Sequence, residues 1–200
     1  MTNREIKDIR QPDYDIDPIY LQRWSSRSFS DRDVSDDDLF SLLEAARWAP
    51  SANNIQPWRF IVARKKEDRE KFYEFILPGN RLWCEKAPAL VLIFSHRLDA
   101  KGRPNPTHAF DTGTAWGYLA LEATRKGLVA HAMSGFEPEK ARKILNIPEE
   151  YELHAVVAIG YRGEREALPE ALQEREKPSM RRPLSESVYE GEFGRATDRD

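Results

Sequence analysis

Ala49-Pro50-Ser51-Ala52-Asn53-Asn54-Ile55-Gln56-Pro57-Trp58 is the stretch from which the fold is read. An amphipathic helical pattern runs into it, and a short apolar strand pattern runs out of it. Two prolines among small and amide side chains make it a fixed polar loop rather than a continuing element. Asn and Gln offer donors and acceptors without charge, which suits the edge of a planar heterocycle.

Upstream, Ser35 with Asp38 three residues on gives a capping-box-like start, and Asp36 and Asp37 favour the positive end of the helix dipole. Leu39, Leu42, Leu43 and Ala46 form the apolar stripe, and Pro50 closes the helix. Downstream, Trp58 to Ala63 reads as a strand and Lys65 to Phe75 as a charged helix. Leu77-Pro78-Gly79-Asn80 reads as a break, with Trp83 opening a short segment that ends at Pro88. Ala89 to Phe94 is an apolar run of strand length, expected to lie centrally in a sheet covered on both faces.

Thr107 to Lys126 is expected to be the most buried helix. Phe110, Trp116, Tyr118, Leu119 and Leu121 surround it and leave little to face water. Gly113, Gly117, Ala120 and Thr124 line a small-residue face suited to close packing, within the subunit or across a dimer axis. Gly127 caps this helix, and Leu128 to Ala132 reads as a strand. Glu137 to Leu145 follows as a helix and His154 to Tyr161 as a final apolar strand. At least three strands alternating with about five helices make an α+β or α/β sandwich.

Two hundred residues support one sizeable domain. A net charge of -3 leaves no dominant basic face, which argues against a nucleic-acid partner. The polar N-terminus does not read as a signal peptide, and no apolar run approaches the roughly 18 residues that span a bilayer. Cys84 is the only cysteine, so a reducing, cytoplasmic setting is expected.

There is no dinucleotide fingerprint, P-loop or Gly-x-Ser-x-Gly elbow. His96, His108, His131 and His154 are scattered without ligand spacing, so no metal site is expected. The absence of an acid–base or nucleophile set points to chemistry carried by a cofactor. In Arg23-Trp24-Ser25-Ser26-Arg27-Ser28-Phe29, two arginines four apart with hydroxyls between them can converge on one anion if the backbone is turned or helical; the alternative is a solvated basic turn.

Three segments in register resemble the FMN-dependent nitroreductase family. They are Arg23 to Phe29, Ala49 to Trp58, and Met133 to Leu145 with the strand ending at Gly160-Tyr161. The resemblance covers Tyr20 to Leu184. It implies a three-layer α/β/α sandwich of α+β class, with a central, mostly antiparallel sheet and an intertwined homodimer holding FMN at the interface. The FMN-binding domain it implies spans 19–184, between stretches whose polar residues read as an N-terminal arm over 1–18 and a tail over 185–200. Arg23, Trp24 (through its backbone), Ser25 and Arg27 would hold the flavin phosphate and pyrimidine side. Pro50, Ser51, Ala52, Asn53 and Gln56 would approach the flavin of the other subunit. Met133, Ser134 and Gly135 would lie behind the ring, Arg181 or Arg182 would reach the phosphate, and Asn80 is a looser addition. Trp24 stands where many relatives carry a second basic residue, and Ser134 where others have Gly or Glu.

The implied activity is an FMN-dependent oxidoreductase that takes hydride from NADH or NADPH. Its small organic acceptor would be a nitroaromatic, quinone, enal or similar compound, reduced by a ping-pong mechanism. The fold also hosts reductive dehalogenation and flavin destruction. A flavin-binding or sequestering protein without turnover is the alternative from another class, and a dimeric structural protein is a third.

Overall fold

The computed structural model describes Ile6 and residues 9–197, so part of the expected N-terminal arm, with Arg4, Glu5, Lys7 and Asp8, lies outside the described residues. Strands β1 (Trp58–Ala63), β2 (Ala89–His96), β3 (Leu128–Met133) and β4 (Tyr151–Tyr161) form one sheet in the order β1-β2-β4-β3. Each of the three pairings is antiparallel. The expected central strand is β2, flanked on both sides and buried over seven of its eight residues.

Side chains alternate across a strand, so β2 feeds two cores. Leu90, Leu92 and Phe94 pack with Phe72, Phe75, Trp83 and Ala141 from the helices Lys66–Phe75, Pro78–Cys84 and Pro138–Ile144. Ala89, Val91 and Ile93 face the other way, onto Leu39, Leu42, Ala46, Ala115 and Leu119 of the helices Asp36–Arg47 and His108–Arg125. The result is the expected helix–sheet–helix sandwich.

The Ser35 cap forms as read: its hydroxyl accepts from the Asp38 N–H at 3.1 Å. Two readings need correction. Leu77 to Asn80 is not simply a break, because Pro78 begins the helix Pro78–Cys84 and Trp83 lies near its end. A proline at the first helical position forfeits no hydrogen bond, since that N–H has no intrahelical partner. The long helix also does not bury its whole circumference. Thr112, Ala115, Leu119 and Ala123 fill the sheet side, while Phe110 on the outer side is 79% exposed and Tyr118 is 41% exposed. Gly113 and Gly117 share that outer side, where an added Cβ would meet nothing within 4 Å.

The tail has no core of its own but is tied in at Leu168, Glu176 and Pro178, all buried. At the other end of the chain, residues 23–30 run extended and dock against the end of β4. Ser30 N–H donates to Tyr161 O at 2.9 Å, and Gly163 N–H donates to Ser28 O at 2.9 Å. This contact requires glycine, because a Cβ on Gly163 would lie 2.6 Å from Phe29 O. Gly163→Ala should therefore cost about 1–3 kcal/mol, read as a lower urea midpoint at unchanged m-value.

Candidate functional site

Ser26 and Ser28 are buried, at 0% and 2% exposure, whereas Arg23, Ser25 and Arg27 line a cavity. The spacing of four that converges these arginines is two periods of an extended chain. The expectation of a turned or helical backbone is thus corrected: residues 23–28 are neither, and Arg23 itself sits at φ -69, ψ 116.

The cavity measures about 270 Å³ and is closed on its far side by the tail. There Arg175, Lys177, Ser179 and Arg181 line the wall, at every second position. Glu176 and Pro178, between them, are buried. The stretch 23–27 and the turn-and-coil segment 175–181 thus face each other and aim their cations into one space. Arg181, one of the two late arginines read from the sequence, lines this cavity. Arg182 lines an adjoining cavity of about 610 Å³ beside Tyr14, Tyr20 and Leu184, with Glu186 3.9 Å away.

The cations are short of counter-charge. Among the described residues the guanidinium groups of Arg23 and Arg27 have no hydrogen-bond or ion-pair partner. Desolvation and then the charge of Arg181 lower the pKa of Arg23. Desolvation and then Arg175 lower that of Arg27, against an opposing pull from Glu176. Such a set of donors, with Ser25 and Trp24 beside it, is suited to a multiply charged anion.

Three residues brace the wall. Arg10, which like Arg175, Lys177 and Ser179 the sequence did not single out, donates through Nη1 to Leu21 O (2.6 Å) and Arg23 O (2.7 Å) and through Nε to Ser179 O (3.0 Å). Glu176 accepts from the N–H of Arg27 at 3.1 and 3.0 Å, from Ser28 N–H at 3.2 Å, and from the Ser26 hydroxyl. His131 completes the support: its Nδ1 lies 3.0 Å from Ser26 O and its ring stacks on Trp83 at 4.4 Å. A carbonyl only accepts, so Nδ1 carries the proton.

The loop at Ala49 to Trp58 does not line this cavity. It holds three non-glycine residues in the left-handed region: Asn53 (φ 51), Asn54 (φ 57) and Gln56 (φ 51). That geometry costs on the order of 1 kcal/mol per residue and favours amide side chains among non-glycines. Gln56 N–H donates to Ser51 Oγ at 3.1 Å, and Ala52 N–H donates to Asp111 Oδ2 at 3.2 Å, which fastens the loop to the long helix. The Asn53 side chain extends outward, exposed. Met133 to Gly135 also lies outside the cavity wall, with Met133 buried and Ser134 exposed. Gly135 O accepts from Leu77 N–H (3.0 Å) and from Asn80 Nδ2 (3.1 Å), so Asn80 is clasped to this turn.

His108 and His154 converge on Ser95 Oγ at 2.7 and 2.6 Å. Ser95 is fully buried, so this cluster ties β2, β4 and the long helix together without offering a nucleophile to substrate. Cys84 is buried too, and desolvation pushes its thiol up to about 12.

Desolvation holds His131 well below its ordinary 6.5, at about 4, against the Ser26 carbonyl, which pulls it up; Arg27 lowers it further. Between those two values the unfolded chain binds more protons at this site than the folded chain does. The contribution of a neutral His131 to stability is therefore complete above about pH 6.5 and is lost as the pH falls toward 4, at up to about 1.4 kcal/mol per pH unit. Urea midpoints measured from pH 7 to 4.5 should fall less steeply in His131→Phe than in the parent chain.

The profile of the nitroreductase family matches residues 20–82 and 77–161. A protein of Archaeoglobus fulgidus, whose name proposes an NADH dehydrogenase/NAD(P)H nitroreductase, is 35% identical over 72% of this chain and 82% of its own. An NADH dehydrogenase of Thermus thermophilus is 29% identical, over 76% and 89% of the two chains. A solved structure of an oxidoreductase containing FMN superposes with a TM-score of 0.89 at 40% identity, covering 93% of this chain and 96% of that one. The helix–sheet–helix sandwich, the two clustered arginines and these matches agree, and the chain belongs to the nitroreductase family.

Proposed function

We propose that this chain is an NAD(P)H-dependent FMN oxidoreductase that reduces a small organic acceptor in a ping-pong cycle. The observation that carries the reading is the cavity where Arg23, Arg27, Arg175, Lys177 and Arg181 meet with too little negative charge between them. A phosphate monoester brings about -1.5 to -2 charges and three acceptor oxygens. Each charge-assisted bond to it contributes on the order of 1.5–3 kcal/mol. The relatives' names, NADH dehydrogenase, NAD(P)H nitroreductase and an oxidoreductase containing FMN, support the same cofactor and co-substrate.

FMN, when bound, supplies two-electron chemistry, taking hydride from NADH or NADPH and delivering it to a nitroaromatic, quinone, enal or related acceptor. The protein's own part is to bind, orient and dry the reacting pair. Arg23 and Arg27 anchor the phosphate. The turn Met133-Ser134-Gly135, stiffened by Asn80, offers backbone groups to the ring. The loop Pro50-Ser51-Ala52-Asn53 and Gln56 serves the flavin of a second subunit. Its left-handed strain is of the kind retained at ligand sites, and the Asn53 amide has no protein partner among the described residues.

The outer side of the long helix supports a homodimer. Phe110, Tyr118 and the open Gly113 and Gly117 lie there, with Trp48 69% exposed at the end of the neighbouring helix. Large exposed apolar side chains grouped on neighbouring helices favour association. No helix among the described residues is long and apolar enough to cross a membrane, and the lone cysteine suits a cytoplasmic setting.

Purified protein should be yellow, and NADH or NADPH should bleach it under anaerobic conditions. Colourless protein that takes up no added FMN would overturn the reading; yellow protein that neither nucleotide bleaches would favour a flavin carrier. Arg27→Ala should weaken FMN binding about 10- to 150-fold by fluorescence titration. Phe110→Glu should sediment as a folded monomer that retains little FMN.

A further inference from the structure

The arginines account for anion binding but leave Glu176 without a role. A buried carboxylate is costly unless its oxygens are fully hydrogen-bonded. Glu176 is 7% exposed, and its donors all come from one short stretch: the Ser26 hydroxyl and the N–H groups of Arg27 and Ser28. That stretch lies about 150 positions away in the sequence, as the Ser26–Glu176 separation of 150 shows. The carboxylate grips the buried side of residues 26–28, while Arg23, Ser25 and Arg27 line the cavity on the other. Its neighbours Arg175 and Lys177 line the opposite wall.

We infer that Glu176 is a positioning residue that couples docking of the tail to capture of the flavin phosphate. The inference rests on the phosphate reading above. Two cationic stretches repel each other, and the Glu176 carboxylate holds them together from behind. An anion in the cavity pulls on the same two stretches from the front. Both therefore stabilise one closed arrangement, and by linkage each strengthens the other. Glu176→Gln keeps one acceptor oxygen but sets an NH₂ against backbone N–H groups and deletes the charge. The tail's Arg175, Lys177 and Arg181 then lose their fixed position over the phosphate. The change acts through the tail's cations, which are assigned to the phosphate alone.

Fluorescence titration of the full-length protein with FMN and with riboflavin, which lacks the phosphate, separates the possibilities. The parent chain should bind FMN at least 100-fold more tightly than riboflavin. In Glu176→Gln, FMN affinity should fall at least tenfold while riboflavin affinity stays within twofold. Equal loss for both ligands would make Glu176 a general structural residue and overturn the inference. An unchanged FMN-to-riboflavin ratio in the variant would do the same, with the phosphate reading intact. A parent chain that binds both flavins equally would instead overturn the phosphate reading itself. Trypsin digestion of the parent chain keeps the inference testable if the variant fails to fold. Cleavage after Arg175 and Arg181 should slow with FMN but not with riboflavin, and equal protection by both would contradict the coupling.

Discussion

Like charges have to be held close together for this site to exist. Arg23 and Arg27 on one stretch face Arg175, Lys177 and Arg181 on the tail, across a cavity of about 270 Å³. Their repulsion and desolvation are written into the depressed pKa values of Arg23 and Arg27. What opposes that repulsion is a set of backbone ties: Glu176 to residues 26–28, Arg10 to Leu21, Arg23 and Ser179, and His131 to Ser26. Hydrogen bonds to backbone groups fix the cations, and Glu176 offsets the charge of Arg27 only in part. The positive potential is thereby stored for a ligand rather than spent within the fold.

The sandwich supplies the rigid base for those ties. β4 is buried between β2 and β3 and carries Gly163 just past its end, where Ser28 and Phe29 dock. β3 delivers His131 beneath the same stretch and ends at Met133, from which the turn to Gly135 departs. Asp111, near the start of the long helix, fastens the left-handed loop at Ala52. Each segment assigned to the cofactor is therefore braced by the sheet or by a helix covering it. Precision at a site built from loops depends on such bracing.

Much of this was legible from residues alone. The Ser35 cap, the β-rich Trp58 to Ala63 run and the apolar Ala89 to Phe94 run each carry a local signal, and each forms as read. Pro78 was misread because proline both ends helices and begins them; only the turn that follows tells which. The long helix was misjudged because large side chains around its circumference do not reveal which side meets the sheet and which meets a second chain. In the site, the arginine pair was visible but its backbone was not: a spacing of four fits one helical turn and two strand periods equally well. Arg175, Lys177, Ser179 and Arg181 carry only a weak signal, an excess of cations in a polar tail that also holds Glu176 and Arg182. Glu176 carries none, because its partners lie about 150 residues away.

The account stands on the claim that this cavity binds the cofactor's phosphate as a dianion. Phosphorus-31 NMR of the FMN-loaded protein, titrated from pH 5 to 8, tests it directly. Free phosphate monoesters lose their second proton near pH 6, at about that value. Surrounded by Arg23, Arg27, Arg175 and Arg181, the bound phosphate should stay dianionic, with a resonance that does not move across the range. A resonance that titrates with a midpoint near that of free FMN would place the phosphate in solvent and contradict the account.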